Sequence, residues 1–197
     1  MILVQHLDPT ERYRLAKSIA DSFKDNAGFL LWGDGSEERE VVLTDFFDCI
    51  LSILIANQMV YATSEQYEGI CAFWTKRNGI KPLQKLKLLG LAKLFPIRRL
   101  VQIAKQSARI RRADSFMKSE EDYVFVFMIV VREPYRHQGY MRQLMEFILS
   151  YAADRSIPCV LETDSLRNEQ IYRHYGMHTL SVQPLSQELT YYILAYK

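Results

Sequence analysis

The sequence predicts a single α/β (α+β) domain, on three observations. Strand-like and helix-like segments run in the order β-α-α-β-β, then a long basic arm, then β-α-β-α-β-β, the pattern of helices and strands layered on one core. Tyr123–Val131 is an unbroken apolar run rich in Val and Phe, as expected of a strand buried on both faces. Met141, Leu144, Met145, Ile148, Leu149 and Ala152 recur at helical spacing, so one helix face is apolar along its whole length. With 197 residues, 49% of them hydrophobic, the chain can bury one sizeable core. One domain over 1–197 is expected, with an insertion at about 81–115.

Each element has its own signature. Ile2–His6 reads as a short first strand. In Asp8-Pro9-Thr10-Glu11, Asp8 caps a helix, Pro9 takes the first helical position and Glu11 closes a capping box. Leu15, Ile19 and Phe23 continue that helix at regular spacing. Gly28–Gly35 reads as a loop, followed by a helix over about Glu40–Asn57 with Val42, Phe46, Cys49, Ile50, Ile53 and Leu54 on one face. Met59–Thr63 and Gly69–Thr75 are strands around a polar turn. The basic arm reads as two helical pieces broken near Pro96. Pro158–Glu162 is a buried strand, and Asn168–Tyr175 a short helix stopped by Gly176. Met177–Val182 and Leu189–Tyr196 close the chain as a hairpin.

Composition excludes several classes. An aromatic content of 12% with only 6 Pro and 8 Gly rules out disorder as the dominant state. The longest apolar stretch, Cys49 to Val60, is broken by Ser52, Asn57 and Gln58, short of the roughly 20 residues a membrane span needs. Met-Ile-Leu-Val-Gln-His at the start has neither a basic region nor a small-residue cleavage site, so no signal peptide is expected. Cys49, Cys71 and Cys159 sit in apolar runs without metal-ligand spacing. They read as reduced core thiols of a cytoplasmic protein, and no metal is expected. The net charge of +2 hides an asymmetry: ten basic residues and no acidic one lie between Lys81 and Arg112. The rest of the chain holds 15 basic and 23 acidic residues, a balance of −8.

Two junctions carry candidate chemistry. At Val130-Val131-Arg132-Glu133-Pro134-Tyr135-Arg136-His137-Gln138-Gly139-Tyr140-Met141 a buried strand ends, turns and opens the long helix. Free backbone N–H groups there face whatever precedes the helix, whose end adds roughly half a positive charge. Arg136 and Arg142 add full charges, and Gly139 lets the backbone approach a bulky ligand. That chemistry suits a pyrophosphate, although an ordinary turn with two solvated arginines has the same composition. Neither a Walker loop nor a three-glycine dinucleotide fingerprint is present. The second junction is the strand, loop and short helix Leu161-Glu162-Thr163-Asp164-Ser165-Leu166-Arg167-Asn168-Glu169-Gln170-Ile171-Tyr172-Arg173-His174-Tyr175-Gly176-Met177.

Together these strings resemble the GNAT superfamily of acyl-CoA N-acyltransferases, and in particular its small-molecule, puromycin N-acetyltransferase-like branch. Asn168, Tyr172 four residues on, then Gly176 and Met177 match the end of the family pattern. Arg136-His137-Gln138-Gly139-Tyr140-Met141 matches its pyrophosphate loop, Q/R-x-x-G-x-G/A, with Met141 in place of the final small residue. Pro134 stands one place later than the family proline. The resemblance implies a mixed, mostly antiparallel central sheet flanked by helices, with the basic arm inserted between the third and fourth strands. It also implies acetyl-CoA as co-substrate: backbone groups of Ile129, Val130 and Val131 would meet pantetheine, the loop Arg136, His137, Gln138, Gly139, Tyr140 and Met141 the pyrophosphate, and Asn168 the pantetheine arm.

The implied reaction moves an acetyl group to an amine, by direct attack in a ternary complex. It needs a neutral amine, donors for a developing oxyanion and a proton for the departing thiolate. Tyr172 suits the last task, since a phenol near pKa 10 and a thiol near 8.5 are comparable acids, and it shares a helical face with Asn168. A packed core tyrosine is the plainer alternative. Glu162 is the candidate base, because a carboxylate in an apolar strand has its pKa raised. A structural carboxylate, or a water chain to a more distant one, stands beside it. His137, His174 and His178 are read as loop or surface residues. Phe46-Phe47 and Phe29-Leu30-Leu31-Trp32 either line an acceptor pocket or pack in the core.

The expected acceptor is a small-molecule amine, with a protein or peptide acceptor or a non-catalytic CoA-binding module as alternatives. No nucleic-acid partner is expected, because Phe95 is the one aromatic in 81–112; a homodimer is left open. The basic arm is expected to overlie the acceptor side and select the acceptor. A solvated helical hairpin and a helix resting on an acidic membrane surface are its alternatives.

Overall fold

The computed structural model describes residues 1–81, 84 and 86–197, with side chains for all of these except 86–88. Leu83 and Lys85, counted with the basic arm, lie outside the described residues. The chain runs β1 (Ile2–Leu3), α1 (Pro9–Phe23), α2 (Ser36–Ala56), β2 (Val60–Ala62) and β3 (Gly69–Thr75), followed by the arm with α3 (Ile97–Arg109). Then come β4 (Val124–Val131), α4 (Tyr140–Ala153), β5 (Cys159–Thr163), α5 (Leu166–His174), β6 (His178–Pro184) and β7 (Thr190–Tyr196). The seven strands form one sheet in the order β1-β2-β3-β4-β5-β7-β6. Among the described strands, only β4 and β5 pair in parallel, as their connection through α4 requires.

Period-two alternation divides the sheet between two helical layers. Ile70 and Ala72 of β3 face α1 and α2, where they join Ile19, Leu43, Leu51 and Leu54. Cys71 and Phe73 face the opposite way, against Leu144 and Ile148 of α4 and Tyr172 of α5. A smaller cluster forms where Val160, Ile193 and Ala195 meet Ala113 and Met117, at the end of the arm. Fully burying a Leu or Ile contributes about 1.5–3 kcal/mol, so each layer is held firmly to the sheet.

The local signals act as expected in most places. Asp8 accepts from the N–H groups of Thr10 and Glu11 at 2.7 and 2.9 Å, with Pro9 beginning α1. Pro96 precedes α3, and the arm before it forms a 3-10 helix over Leu86–Leu94. Three expectations are corrected. The first strand is only Ile2–Leu3, because its partner β2 is three residues long. Helix α2 begins at Ser36, four residues before the expected start at about Glu40. Its first turn carries Glu37 and Glu38, which favour a helix start, and Glu38 accepts from the N–H of Asp34. The expected loop contains a 3-10 helix over Ala27–Trp32.

Strand β4 also departs from burial on both faces: Phe125, Phe127, Ile129 and Val131 are half-buried. A bulge lies behind part of this. Ala72 pairs with Met128 and Phe73 with Val126, leaving Phe127 as the extra residue. Val124 and Val126 therefore pack toward α4 and α5, while Met128 and Val130 pack toward α1 and α2. A bulge re-aims side chains in this way. It does so beside the opening described next.

Candidate acetyl-transfer site

The site begins where β4 and β5 part. They pair only over Val124–Val126 and Cys159–Leu161, although β4 continues to Val131 and β5 to Thr163. Among the described residues, the β5-facing edge of β4 beyond Val126 has no strand partner. A cavity of about 1190 Å³ occupies this opening. One end is lined by Ile129, Thr163, Asn168 and Tyr172, and the other by rings from the 27–32 turn, α2, β3 and β4.

Beyond β4, the chain forms a short turn over Glu133–Tyr135 and enters α4 through Gly139. His137 and Gly139 adopt φ of 65° and 85°, the left-handed region that gathers successive N–H groups into an anion-binding hollow. Among the described residues, nothing lies within 4 Å of a Cβ placed on Gly139, so the hollow is open. Helix α4 has no side-chain cap, and after the N–H of Arg136, bound to Glu133, the next acceptor-bound N–H among the described residues is that of Gln143, to Gly139. Arg136 has no ion-pair partner among the described residues. Arg142 instead pairs with Glu146 at 2.7 Å, so only one of the two expected arginines offers an uncompensated charge. Gln138 donates to the Pro134 carbonyl at 3.1 Å. Tyr140 donates to Glu68 at 3.5 Å, and Met141 packs half-buried on the core. The open hollow, the free helix N-terminus and the unpaired strand edge together fit a pantetheine–pyrophosphate chain such as coenzyme A carries.

Helix α5 presents the other two expected residues. Ser165 caps it by accepting the N–H of Asn168 at 3.2 Å. Asn168 and Tyr172, one turn apart, both reach the cavity. Tyr172 is only 7% exposed, and its hydroxyl has no hydrogen-bond partner among the described residues. Burial pushes its pKa well above that of an ordinary phenol, and nearby Asp164 pushes it further. The hydroxyl therefore keeps its proton at neutral pH and can donate a hydrogen bond. His174 and His178 are exposed, as expected of surface residues.

Glu162 is fully engaged. It accepts from the N–H of Ala113 at 2.6 Å, from Arg112 at 3.0 Å and from the Tyr191 hydroxyl at 2.9 Å. Arg112 also donates to Tyr191 at 2.9 Å. This corrects the picture of a carboxylate free to take a proton, because both oxygens already hold the end of the arm against β5 and β7. Asp164, two residues on and just past the end of β5, was not singled out from the sequence. Its Oδ2 accepts the N–H of Gly28 at 2.6 Å, and a Cβ at Gly28 would stand 2.8 Å from that oxygen. The i, i+2 spacing of two acids at a strand end was the available signal.

The arm closes the site from above. Gln106 of α3 donates to the Gly28 carbonyl at 3.3 Å, and Arg99 pairs with Asp34 and Glu38 at 2.7 and 2.8 Å. Ile103, Gln106, Ser107 and Ile110 line the cavity. Ile97, 80% exposed, and Val101 point away from it. Among the described residues, no helix is long and apolar enough to cross a membrane.

Residues 60–177 match the model of the acetyltransferase (GNAT) family. The chain belongs to that family, and so to the acyl-CoA-dependent N-acetyltransferases. Solved structures share the fold. An N-acetyltransferase from Staphylococcus aureus Mu50 aligns over 100% of both chains at 14% identity, with a TM-score of 0.59. A mosquito arylalkylamine N-acetyltransferase-like 5b aligns over 98% of this chain and 97% of its own, at 13% identity and a TM-score of 0.62. An agmatine N-acetyltransferase mutant aligns over 99% and 98%, at 9% identity and a TM-score of 0.58. No curated protein matches the sequence.

Proposed function

We propose that the protein transfers an acetyl group from acetyl-CoA to an amine of a small molecule, with both substrates bound in the cavity at once. One observation carries this reading: a single cavity joins the β4–β5 opening, with Asn168 and the unpartnered Tyr172 hydroxyl, to a chamber under α3. The α3 residues over the chamber favour a small acceptor over the open groove a protein or peptide would need. The Tyr172 hydroxyl, open to the cavity and committed to no acceptor among the described residues, favours an enzyme over a silent CoA-binding module.

The bound thioester supplies an activated acetyl group. The N–H groups of 137–142 and Arg136 bind its pyrophosphate, and the backbone of Ile129, Val130 and Val131 with the Asn168 amide orients its pantetheine. Backbone donors at the bulged part of β4 stabilise negative charge on the reacting oxygen. Tyr172 donates a hydrogen bond to the departing sulfur. Its raised pKa makes complete proton transfer uphill, so the sulfur leaves hydrogen-bonded and takes its proton in the same motion or from solvent. Glu162 acts as a positioning residue, holding the arm over the chamber through Arg112 and Ala113.

A screen of amines with acetyl-CoA, followed by free-thiol release and by the mass of the product, tests this. Acetylated small amines are expected. Acetylation confined to protein N-termini or lysines, or no transfer despite tight coenzyme A binding, would contradict it.

A further inference from the structure

Resting on that reading of the cavity, we propose that the acceptor is a monoamine carried on an aromatic or similarly bulky apolar body, with its ammonium at Asp164 and its body between aromatic walls. Phe29 packs edge-on against Trp32 at 5.1 Å, and Trp32 against Phe46 at 5.0 Å. Trp74 and Phe127 stack at 5.8 Å on the sheet side. All five rings line the cavity, and all are half-buried. Such a chamber stabilises an apolar or flat ligand by burial and ring contact.

The charges favour one cation over several, because Lys76, Arg77, Lys81, Arg112 and Lys118 share the lining with three carboxylates and would repel a second ammonium. The carboxylates lining the cavity among the described residues are Asp114, Glu162 and Asp164. Asp114 accepts the Tyr123 hydroxyl at 2.6 Å, and Glu162 is filled as described above. Asp164 uses only Oδ2, on Gly28, which leaves Oδ1 for a ligand. A polyamine would bring a second cation with no counter-charge waiting. Asp164 also lies close enough to Tyr172 to act on its pKa, so an amine held there stands beside the departing sulfur. In the transfer, the ammonium first loses one proton. Its nitrogen lone pair then forms the N–C bond as the C–S bond breaks. The sulfur leaves with the bonding electron pair and takes up one proton, the nitrogen sheds a second, and one proton is released overall.

Both tryptophans of the chain, Trp32 and Trp74, line this cavity, so intrinsic fluorescence reports occupancy without turnover. Protein saturated with coenzyme A is titrated with 2-phenylethylamine, hexylamine and putrescine. 2-Phenylethylamine is expected to change the emission and to bind at least about tenfold tighter than putrescine. Asp164→Asn retains an acceptor for the Gly28 N–H and removes the charge. It is expected to raise the KM for 2-phenylethylamine about tenfold or more while leaving that for acetyl-CoA unchanged. Putrescine binding as tightly as 2-phenylethylamine, or no emission change with any of these amines on the CoA-loaded protein, would overturn the proposal. Absence of coenzyme A binding by calorimetry would instead sink the underlying reading. Because the titration uses the wild-type chain, it decides the matter even if the variant fails to fold.

Discussion

Tyr172 concentrates the chemical argument at a single hydroxyl. Its ring is part of the α4–α5 layer while its oxygen meets the cavity, so Tyr172→Phe should spare packing and remove only the donor. The expected outcome is a fall in kcat of about 10²-fold, at the low end for one acid–base group because the raised pKa already opposes full transfer. The KM for acetyl-CoA should stay unchanged, and steady-state kinetics with the chemical step shown to be limiting would check both. Near-normal turnover would return Tyr172 to a packing role. Asn168 and Tyr172 were singled out through the family resemblance, and their helical spacing puts them on one face. Asp164 was not, because its position depends on Gly28 from 136 residues away. Glu162 was legible as a buried carboxylate, but its three partners come from the arm and from β7, and no local pattern announces them.

Elements fall into the same two groups. Helices with strong periodicity and clear caps, α1 and α4, could be read directly. The bulge at Phe127 and the parting of β4 from β5 could not, since both are properties of pairing between distant strands. The arm was legible as a basic, apolar-rich pair of helical pieces, but its docking rests on scattered contacts: Arg99, Gln106 and Arg112. Those contacts make testable predictions. Arg112→Gln should loosen the end of the arm and raise the acceptor KM several-fold with little effect on acetyl-CoA, as measured by initial rates; unchanged acceptor kinetics would argue against a selecting role. The Asp34 N–H and then Arg99 hold the Glu38 carboxyl below the ordinary value. A lowered pKa means that its contribution is complete above the ordinary value of 4.5 and is lost as pH falls through the folded value. Hydrogen exchange of α3, corrected for intrinsic rates, should therefore accelerate in acid. Glu38→Gln should show that acceleration already at neutral pH.

At the scale of the whole molecule, two helical layers hold one seven-stranded sheet that opens where β4 leaves β5, and the cavity sits at that opening. The stability of the layers and the chemistry of the opening are separable. Ile148→Ala, in the fully buried face of α4, should lower unfolding free energy by about 2–5 kcal/mol in denaturant titration without changing the acceptor preference of the folded fraction. The order of layers followed from the alternation of strand and helix patterns; the opening itself appears only when the strands are paired. The central claim is that this opening holds coenzyme A, with its pyrophosphate at 136–141. Calorimetric titration of coenzyme A into the wild-type protein, Gly139→Glu and Arg136→Glu tests it most directly. The first variant fills and charges the open hollow, while the second reverses the charge without touching the left-handed backbone at Gly139. Binding to the wild type, weakened about tenfold or more in both folded variants, is the predicted result. Equal affinity in all three proteins would contradict the account.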